Sequence, residues 1–229
     1  MDDNLRVVIA AAGAGSRMGK KINKQYMLLK SRPLLTYSLD VFEKSPLVEE
    51  IVIVAHPQEI EYCEREIVKK YGYKKVNSVV AGGKERQDSI WAGLKQLGSD
   101  TAYVAVHDGA RPFISSVLIE ELLQEAKEWG AAIPGVAVKD TLKHVDRDGF
   151  VRQTLDRASI IAVQTPQIFK YAELCEAYAN AYEEGLIVTD DAGLFEKYIG
   201  RVKVVTGDYF NIKITTPEDM LIAKSLIKL

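Results

Sequence analysis

The sequence predicts an α/β fold, a mostly parallel twisted sheet wound with helices, from which a β-hairpin arm protrudes. Three observations carry this reading. Short apolar runs alternate with helix-length amphipathic segments along the chain, the pattern of strand–helix–strand units. The first run, Leu5 to Ala11, is nearly all apolar, as in a central strand covered on both faces. Asp146-Arg147-Asp148-Gly149 separates two short strand-like runs, Thr141 to Val145 and Phe150 to Leu155, and Asp-Gly in that setting signals a hairpin.

The elements follow in order. Pro33 opens a helix whose apolar positions, Leu34 to Phe42, suit packing on a sheet. Ile51 to Ala55 is the second strand, and Pro57 to Tyr71 an amphipathic helix ending near Gly72. Val76 to Ala81 is the third strand, and a helix opens at about Glu85. Ala102 to Val106 is the fourth strand, Ser115 to Trp129 a helix, and Ala131 to Val138 the fifth strand. After the hairpin come a short strand at Ile160 to Val163 and a helix from Lys170 to Glu184. Thr189-Asp190-Asp191 caps a helix running from Ala192 to Tyr198. Val202 to Val205 and Asn211 to Ile214 read as strands, and Thr216-Pro217 starts the last helix. The expectation is a single domain over 1–229 with an arm at about 139–158, too small to stand alone and suited to a partner subunit.

Composition narrows the class. With 47% hydrophobic and 27% charged residues the chain is an ordinary globular protein, and a net charge of −2 does not suit a general nucleic-acid binder. No apolar run approaches the roughly 20 residues of a membrane helix. The acidic start, Met1-Asp2-Asp3-Asn4, does not resemble a signal or transit peptide. Two cysteines, Cys63 and Cys175, are too few for a disulfide framework, so a reducing cytoplasm is expected.

The candidate chemistry lies at strand ends. After the first strand the chain reads Gly13-Ala14-Gly15-Ser16-Arg17-Met18-Gly19, followed by Lys20, Lys21 and Lys24. Small residues let backbone amides approach a ligand, and the cations add full charges. No Gly-Lys-Ser/Thr follows, so this is not a Walker loop, and Met18 stands where a dinucleotide fingerprint needs its third glycine. A nucleoside triphosphate loop and a glycine-rich turn with a solvated basic face both remain. Gly82-Gly83-Lys84-Glu85-Arg86-Gln87-Asp88-Ser89 could read a base edge or be a plain strand–helix turn; Arg86 and Ser89 share a helix face. Asp108, just past the fourth strand, lies where open α/β sheets bind ligands and could hold Mg²⁺ with substrate phosphates, or cap the next helix. His107 has no neighbouring ligand residues and reads as structural.

Together, Ala10–Gly19 with Lys24-Gln25-Tyr26, Gly82–Ser89, His107–Pro112, Asp156-Arg157, Gln164–Gln167, Thr189–Ala192 and Asn211–Asp219 resemble, in order and spacing, the 2-C-methyl-D-erythritol 4-phosphate cytidylyltransferase family. The resemblance covers nearly the whole chain and implies a Rossmann-like nucleotidyltransferase of the non-mevalonate isoprenoid pathway. Such an enzyme is a homodimer that joins CTP to a sugar or polyol phosphate, here 2-C-methyl-D-erythritol 4-phosphate, with Mg²⁺, giving 4-diphosphocytidyl-2-C-methyl-D-erythritol and pyrophosphate. By motif match, Ala11, Ala12, Gly13, Ala14, Gly15, Gly82, Gly83 and Ser89 would hold the nucleotide. Arg17, Lys24 and Lys213 would stabilise the reacting phosphates, and Asp108 would contact metal and substrate. Thr141 and Arg157 match arm residues that reach a partner's site, and Thr165 and Thr189 match substrate-side positions. Lys84 stands where the family's loop varies and is assigned no role. Pentitol-phosphate cytidylyltransferases, the ribitol 5-phosphate enzyme among them, are the nearest alternative. They carry Gly-Gly in place of Ala12-Gly13 and lack the Thr189–Ala192 run. A non-catalytic nucleotide-binding regulator is the alternative from another class, against which the cations and Asp108 count.

Overall fold

The computed structural model describes residues 4–13 and 23–227. β1 (Leu5–Ala11) opens the fold, and a short ladder of β2 (Leu28–Leu29) and β3 (Arg32–Pro33) leads into α1 (Leu34–Lys44). β4 (Val48–Ala55) is followed by a helical segment, α2 (Ile60–Tyr62), that continues as a π-helix over Cys63–Lys69. Then come β5 (Val76–Ala81), α3 (Arg86–Leu94), β6 (Tyr103–Asp108), α4 (Ser116–Trp129) and β7 (Ala131–Ala137). β8 (Lys143–Val145) and β9 (Val151–Thr154) form the hairpin arm. β10 (Ile161–Val163), β11 (Gln167–Lys170), α5 (Tyr171–Glu184), α6 (Asp191–Tyr198), β12 (Lys203–Thr206) and α7 (Pro217–Leu226) complete the chain.

The eight-stranded sheet places β1 between β4 and β6, parallel to both, with β5 beyond β4. On the far side of β6 runs β11, antiparallel, and then β7. Ala132 of β7 pairs with Ile168 of β11 and with Lys203 of β12, so those two strands flank β7 on opposite edges. Alternate residues of β1 face two separate apolar layers, as a doubly covered central strand requires. Val7 and Ile9 pack with Leu35, Phe42, Ile67, Ile119 and Leu122 from α1, the π-helix and α4. Val8 packs on the other face with Ile90, Leu94, Leu174, Tyr178 and Phe195 from α3, α5 and α6. A smaller cluster joins α7, through Met220 and Ala223, to Leu29 and Leu34.

The predicted alternation is present, and the mostly parallel α/β architecture with it. The hairpin forms where the Asp-Gly signal places it; Asp146 closes its turn by accepting from the backbone amides of Asp148 and Phe150. Three local expectations are corrected. Gln167 to Lys170, expected as a link and the first residue of a helix, forms β11 in the middle of the sheet, and the helix starts at Tyr171. Four residues carry no periodicity; the open backbone edge of β6 recruits them. Asn211 to Ile214 is not a strand. The Ile214 amide donates to the Ala110 carbonyl, and the Asn211 side chain to the Thr165 carbonyl, so the segment is fixed by single bonds at the end of β6. The helix expected over Pro57 to Tyr71 is there, opening as a 3₁₀ turn and winding as a π-helix over Cys63–Lys69.

Helix α3 lies against the sheet at Gly93. A Cβ built there would sit 2.5 Å from Val8 Cγ1 and 2.8 Å from Val54 Cγ2. Gly93→Ala is therefore expected to lower stability by about 1–2 kcal/mol, since overpacking outweighs the helix-propensity gain. Urea unfolding of the variant beside the parent checks this, and a stabilised variant would refute close packing at Gly93.

Candidate active site

β1 is the strand at which the chain changes direction across the sheet, with β4 added on one side and β6 on the other. Ligands of open α/β sheets bind outside the carboxyl ends of strands at that point. A cavity of about 440 Å³ lies there. Ala10, Ala12 and Gly13 line it from the end of β1, His56 from the end of β4, Gly83 to Arg86 and Ser89 from the turn after β5, and Asp108 from β6. Lys24, Gln25 and Lys213 close it. Lys24 stands on a 3₁₀ turn held from beneath by two buried neighbours. Gln25 donates its amide to the Ala11 carbonyl, and Tyr26 packs edge-on against Tyr62 at 5.1 Å.

The end of β1 and the glycine turn after β5 meet. A Cβ at Gly82 would fall 2.4 Å from Ala12 Cβ and 2.8 Å from Ser89 Oγ, so only glycine permits this approach. Ser89 Oγ accepts from the Gly83 amide and donates to the Glu85 carbonyl, both 3.1 Å, fixing the turn at the start of α3. Glu85 caps that helix in a reciprocal capping box with Asp88.

Asp108 is the electrostatic centre. Lys213 Nζ lies 2.7 Å from its Oδ2, and the Nε atoms of Arg86 and Arg111 lie 3.7 Å from Oδ1 and Oδ2 respectively. Burial by itself would raise the Asp108 carboxyl; Lys213 and Arg86, then Arg111, outweigh it and hold the group well below the usual carboxylate range. Asp108 therefore does not cap α4, which Ser115 caps by accepting from the Leu118 amide. Arg86 also pairs with Asp191 at 2.8 Å. Burial would depress its guanidinium, but Asp191 and then Asp108 raise it. Burial pulls the Arg111 guanidinium down, and Arg111 donates to the Asn211 carbonyl at 2.7 Å, tying the Lys213 segment to the end of β6.

His107, fully buried, has one ring nitrogen 3.1 Å from the Arg111 carbonyl and the other 3.1 Å from Thr165 Oγ1. The Asp108 amide donates to the same Thr165 oxygen. Histidine and threonine thus set the backbone that presents Asp108.

The structure brings Ala12, Gly13, Lys24, Gly83, Ser89, Asp108 and Lys213 to one cavity, with Gly82 directly behind it. Ala11 and Thr165 are buried with internal partners. Thr141, Arg157 and Thr189 are exposed and do not line this cavity; the Arg157 guanidinium donates to the Lys139 carbonyl at the base of its own arm. Ala14, Gly15 and Arg17 lie outside the described residues. Sequence reasoning passed over Arg86, Arg111 and Asp191. Arg86 had a faint signal, its helix-face neighbour Ser89. Asp191, expected as part of a cap, is instead a buried partner of Arg86, while Asp190 alone caps α6 by accepting from the Gly193 amide.

A cavity at the switch point of a parallel sheet, with Gly82 and Gly83 packed against the end of β1 on one side and cations gathered round the buried Asp108 on the other, suits an α/β nucleotidyltransferase. Residues 5–228 match the family described as 2-C-methyl-D-erythritol 4-phosphate cytidylyltransferase, and the chain belongs to that family. It is 46% identical to the enzyme of that name from Clostridium acetobutylicum over 96% of both chains. It is 47% identical to that from Alkaliphilus metalliredigens over 96% of this chain and 92% of the other. The crystal structure of 4-diphosphocytidyl-2C-methyl-D-erythritol synthase from Anaerococcus prevotii superposes with a TM-score of 0.87 at 32% identity, covering all of both chains.

Burial pushes the His107 imidazole down to about 4. The unfolded chain takes up that proton near pH 6.5, so the native state loses stability as pH falls from there towards 4. The loss is about 3 kcal/mol. Urea unfolding at pH 7 and pH 4 is expected to show this extra loss in the parent and not in His107→Gln. Equal pH dependence of the two proteins would exclude a neutral, buried His107.

Proposed function

We infer that the chain joins CTP and 2-C-methyl-D-erythritol 4-phosphate, giving 4-diphosphocytidyl-2-C-methyl-D-erythritol and pyrophosphate, in the non-mevalonate route to isoprenoids. The carrying observation is the Asp108–Lys213 contact inside the cavity, at the end of β6, in a chain whose family spans residues 5–228. A phosphate oxygen of the sugar phosphate attacks the α-phosphorus of CTP. The new O–Pα bond forms as the bond to the bridging oxygen breaks, and the electron pair leaves on pyrophosphate. The nucleophile is already an anion and needs no base; catalysis is positioning and charge stabilisation.

Backbone groups of Ala12, Gly13 and the Gly82-Gly83 turn suit the nucleotide, and Lys24, Lys213 and Arg17 the phosphates. Arg17 can fork two oxygens, whereas each lysine acts as a point charge. Among the described residues no cluster of three His, Cys, Asp or Glu could hold a metal alone. A single carboxylate beside a phosphate site fits Mg²⁺, which takes one or two carboxylates and completes its shell with phosphates and water. Mg²⁺ bound at Asp108 would neutralise triphosphate charge.

A homodimer accounts for the arm. Val145, Phe150 and Val151 are exposed on it, Phe150 at 72%, and Tyr209 and Phe210 are exposed on the loop beside its base, where Lys139 stacks on Tyr209 at 3.7 Å. Thr141 and Arg157 on this arm, with Thr189, would form the sugar-phosphate side, partly across the two subunits, while the buried Thr165 would act from behind through Asp108. No helix among the described residues is long and apolar enough to cross a membrane. Cys63 and Cys175 are both free thiols, which suits a cytoplasmic enzyme.

Pyrophosphate release with CTP, UTP and ATP against a panel of sugar and pentitol phosphates tests the reaction. The expected outcome is turnover with CTP and methylerythritol 4-phosphate at a specificity constant at least about tenfold above any other pair, a margin of 1.4 kcal/mol. Equal constants for the three nucleotides, or preference for a pentitol phosphate, would overturn the assignment.

Complementation tests the shared site. Lys24→Ala is expected to lose about a hundredfold in kcat, as for one oxyanion donor. Arg157→Ala should raise the KM for the sugar phosphate and leave CTP binding unchanged. A heterodimer of the two variants, with assembly confirmed first, should regain activity, because one of its sites is intact. No recovery would place Arg157 in its own subunit's site.

A further inference from the structure

Asp191 lies behind the cavity wall with its side chain 0% exposed, a costly place for a carboxylate. Both oxygens are engaged: Oδ2 takes Arg86 at 2.8 Å, and Oδ1 accepts from the Tyr178 hydroxyl at 2.5 Å. The Tyr178 ring is itself fixed, stacked on Trp91 of α3 at 5.4 Å with 6° between planes. Arg86 lines the cavity, its Nε 3.7 Å from Asp108. The same first turn of α3 grips the chain that leads to Asp191: the Gln87 amide donates to the Leu186 carbonyl at 3.0 Å and accepts from the Val188 amide at 3.1 Å. A buried ion pair contributes little net stability over an apolar pair of the same size, so stability alone gives no reason to keep this one.

We propose that Asp191, with Tyr178 behind it, is a positioning residue for the reaction: it fixes the Arg86 guanidinium against Asp108 without touching a substrate. A guanidinium planted between two carboxylates keeps one direction, and the Asp108 carboxylate beside it keeps its own. Side-chain pairs supported from a second, packed layer hold the sub-ångström geometry that charge stabilisation requires.

The proposal rests on the reaction assigned above, and rescue of a cavity variant tests it. Arg86→Ala is expected to lose about fiftyfold in kcat. Millimolar guanidinium chloride should restore activity and raise the unfolding temperature, because Asp191 and Asp108 still face the vacated space. In Arg86→Ala/Asp191→Asn the fold should persist, both charges being gone, and the same guanidinium should restore far less. A rescue about fivefold or more larger with Asp191 than without it, roughly 1 kcal/mol of guanidinium binding, supports the proposal; a smaller ratio, or no rescue of Arg86→Ala, overturns it. Should the double variant not fold, Asp191→Asn alone replaces it. A loss of kcat beyond about tenfold with KM for CTP unchanged then supports the proposal, and a smaller loss overturns it. Failure of Arg86→Ala, or of both Asp191 variants, to fold would make the pair structural and overturn it too. Parent turnover measured in the same series tests the assigned reaction separately; were the parent active on other substrates, the rescue would be compared on those.

Discussion

Asp108 holds a negative charge in a place where burial works against it, and the surroundings are arranged to offset that cost. Lys213, Arg86 and Arg111 reach it from three different parts of the chain. Its backbone amide is bound by Thr165, which His107 braces from the same strand end. Asn211 closes the ring by donating to the Thr165 carbonyl while its own carbonyl receives Arg111. Remove the carboxylate and the three cations repel one another in a poorly solvated space. Remove the cations and the carboxylate has no reason to stay ionised.

The same arrangement answers the chemical problem of the reaction, which is to bring two anions together. A cavity with more cations than carboxylates attracts phosphate. The Asp108 carboxylate keeps the cations apart and would hold the proposed Mg²⁺. Ala12 and Gly13 at the end of β1 and the glycine turn after β5 do complementary work on the other wall. With no Cβ at Gly82 the turn after β5 closes on Ala12, and Ala12, Gly13 and Gly83 line the cavity. Positive side chains and small, amide-rich turns are the two means by which proteins hold a triphosphate.

Away from the cavity, the arm and the loop beside it leave several large apolar side chains in water, among them Phe150 and Phe210. The arm is a two-stranded hairpin with little core of its own, and such elements gain stability by packing. Its exposed face and the exposed Arg157 form one connected surface with the base of the arm, where Lys139 meets Tyr209. That surface is where the proposed second subunit would pack.

Local pattern determined a good deal. The apolar runs gave the parallel strands because a strand covered on both faces has no polar positions to spend. Asp-Gly marked the arm, Thr216 and Pro217 marked the start of α7, and the spacing of short motifs pointed to the family. The sequence also located Asp108, Lys24 and the Gly82-Gly83 turn, since each sits directly beside an element boundary that pattern can find. Tertiary structure decided the rest. β11 exists because the edge of β6 needed a partner, and no four-residue window announces that. Lys213, expected in an alternating strand, points at Asp108 because single hydrogen bonds from Asn211 and Ile214 pin its irregular segment. Asp191 looked like one acid of a helix cap; only the packing of α5 and α6 on α3 brings it to Arg86, 105 residues away in sequence. Periodicity and turn chemistry act over a few residues and are written locally. A buried charge is settled by what the fold places around it, and that is a property of the whole chain.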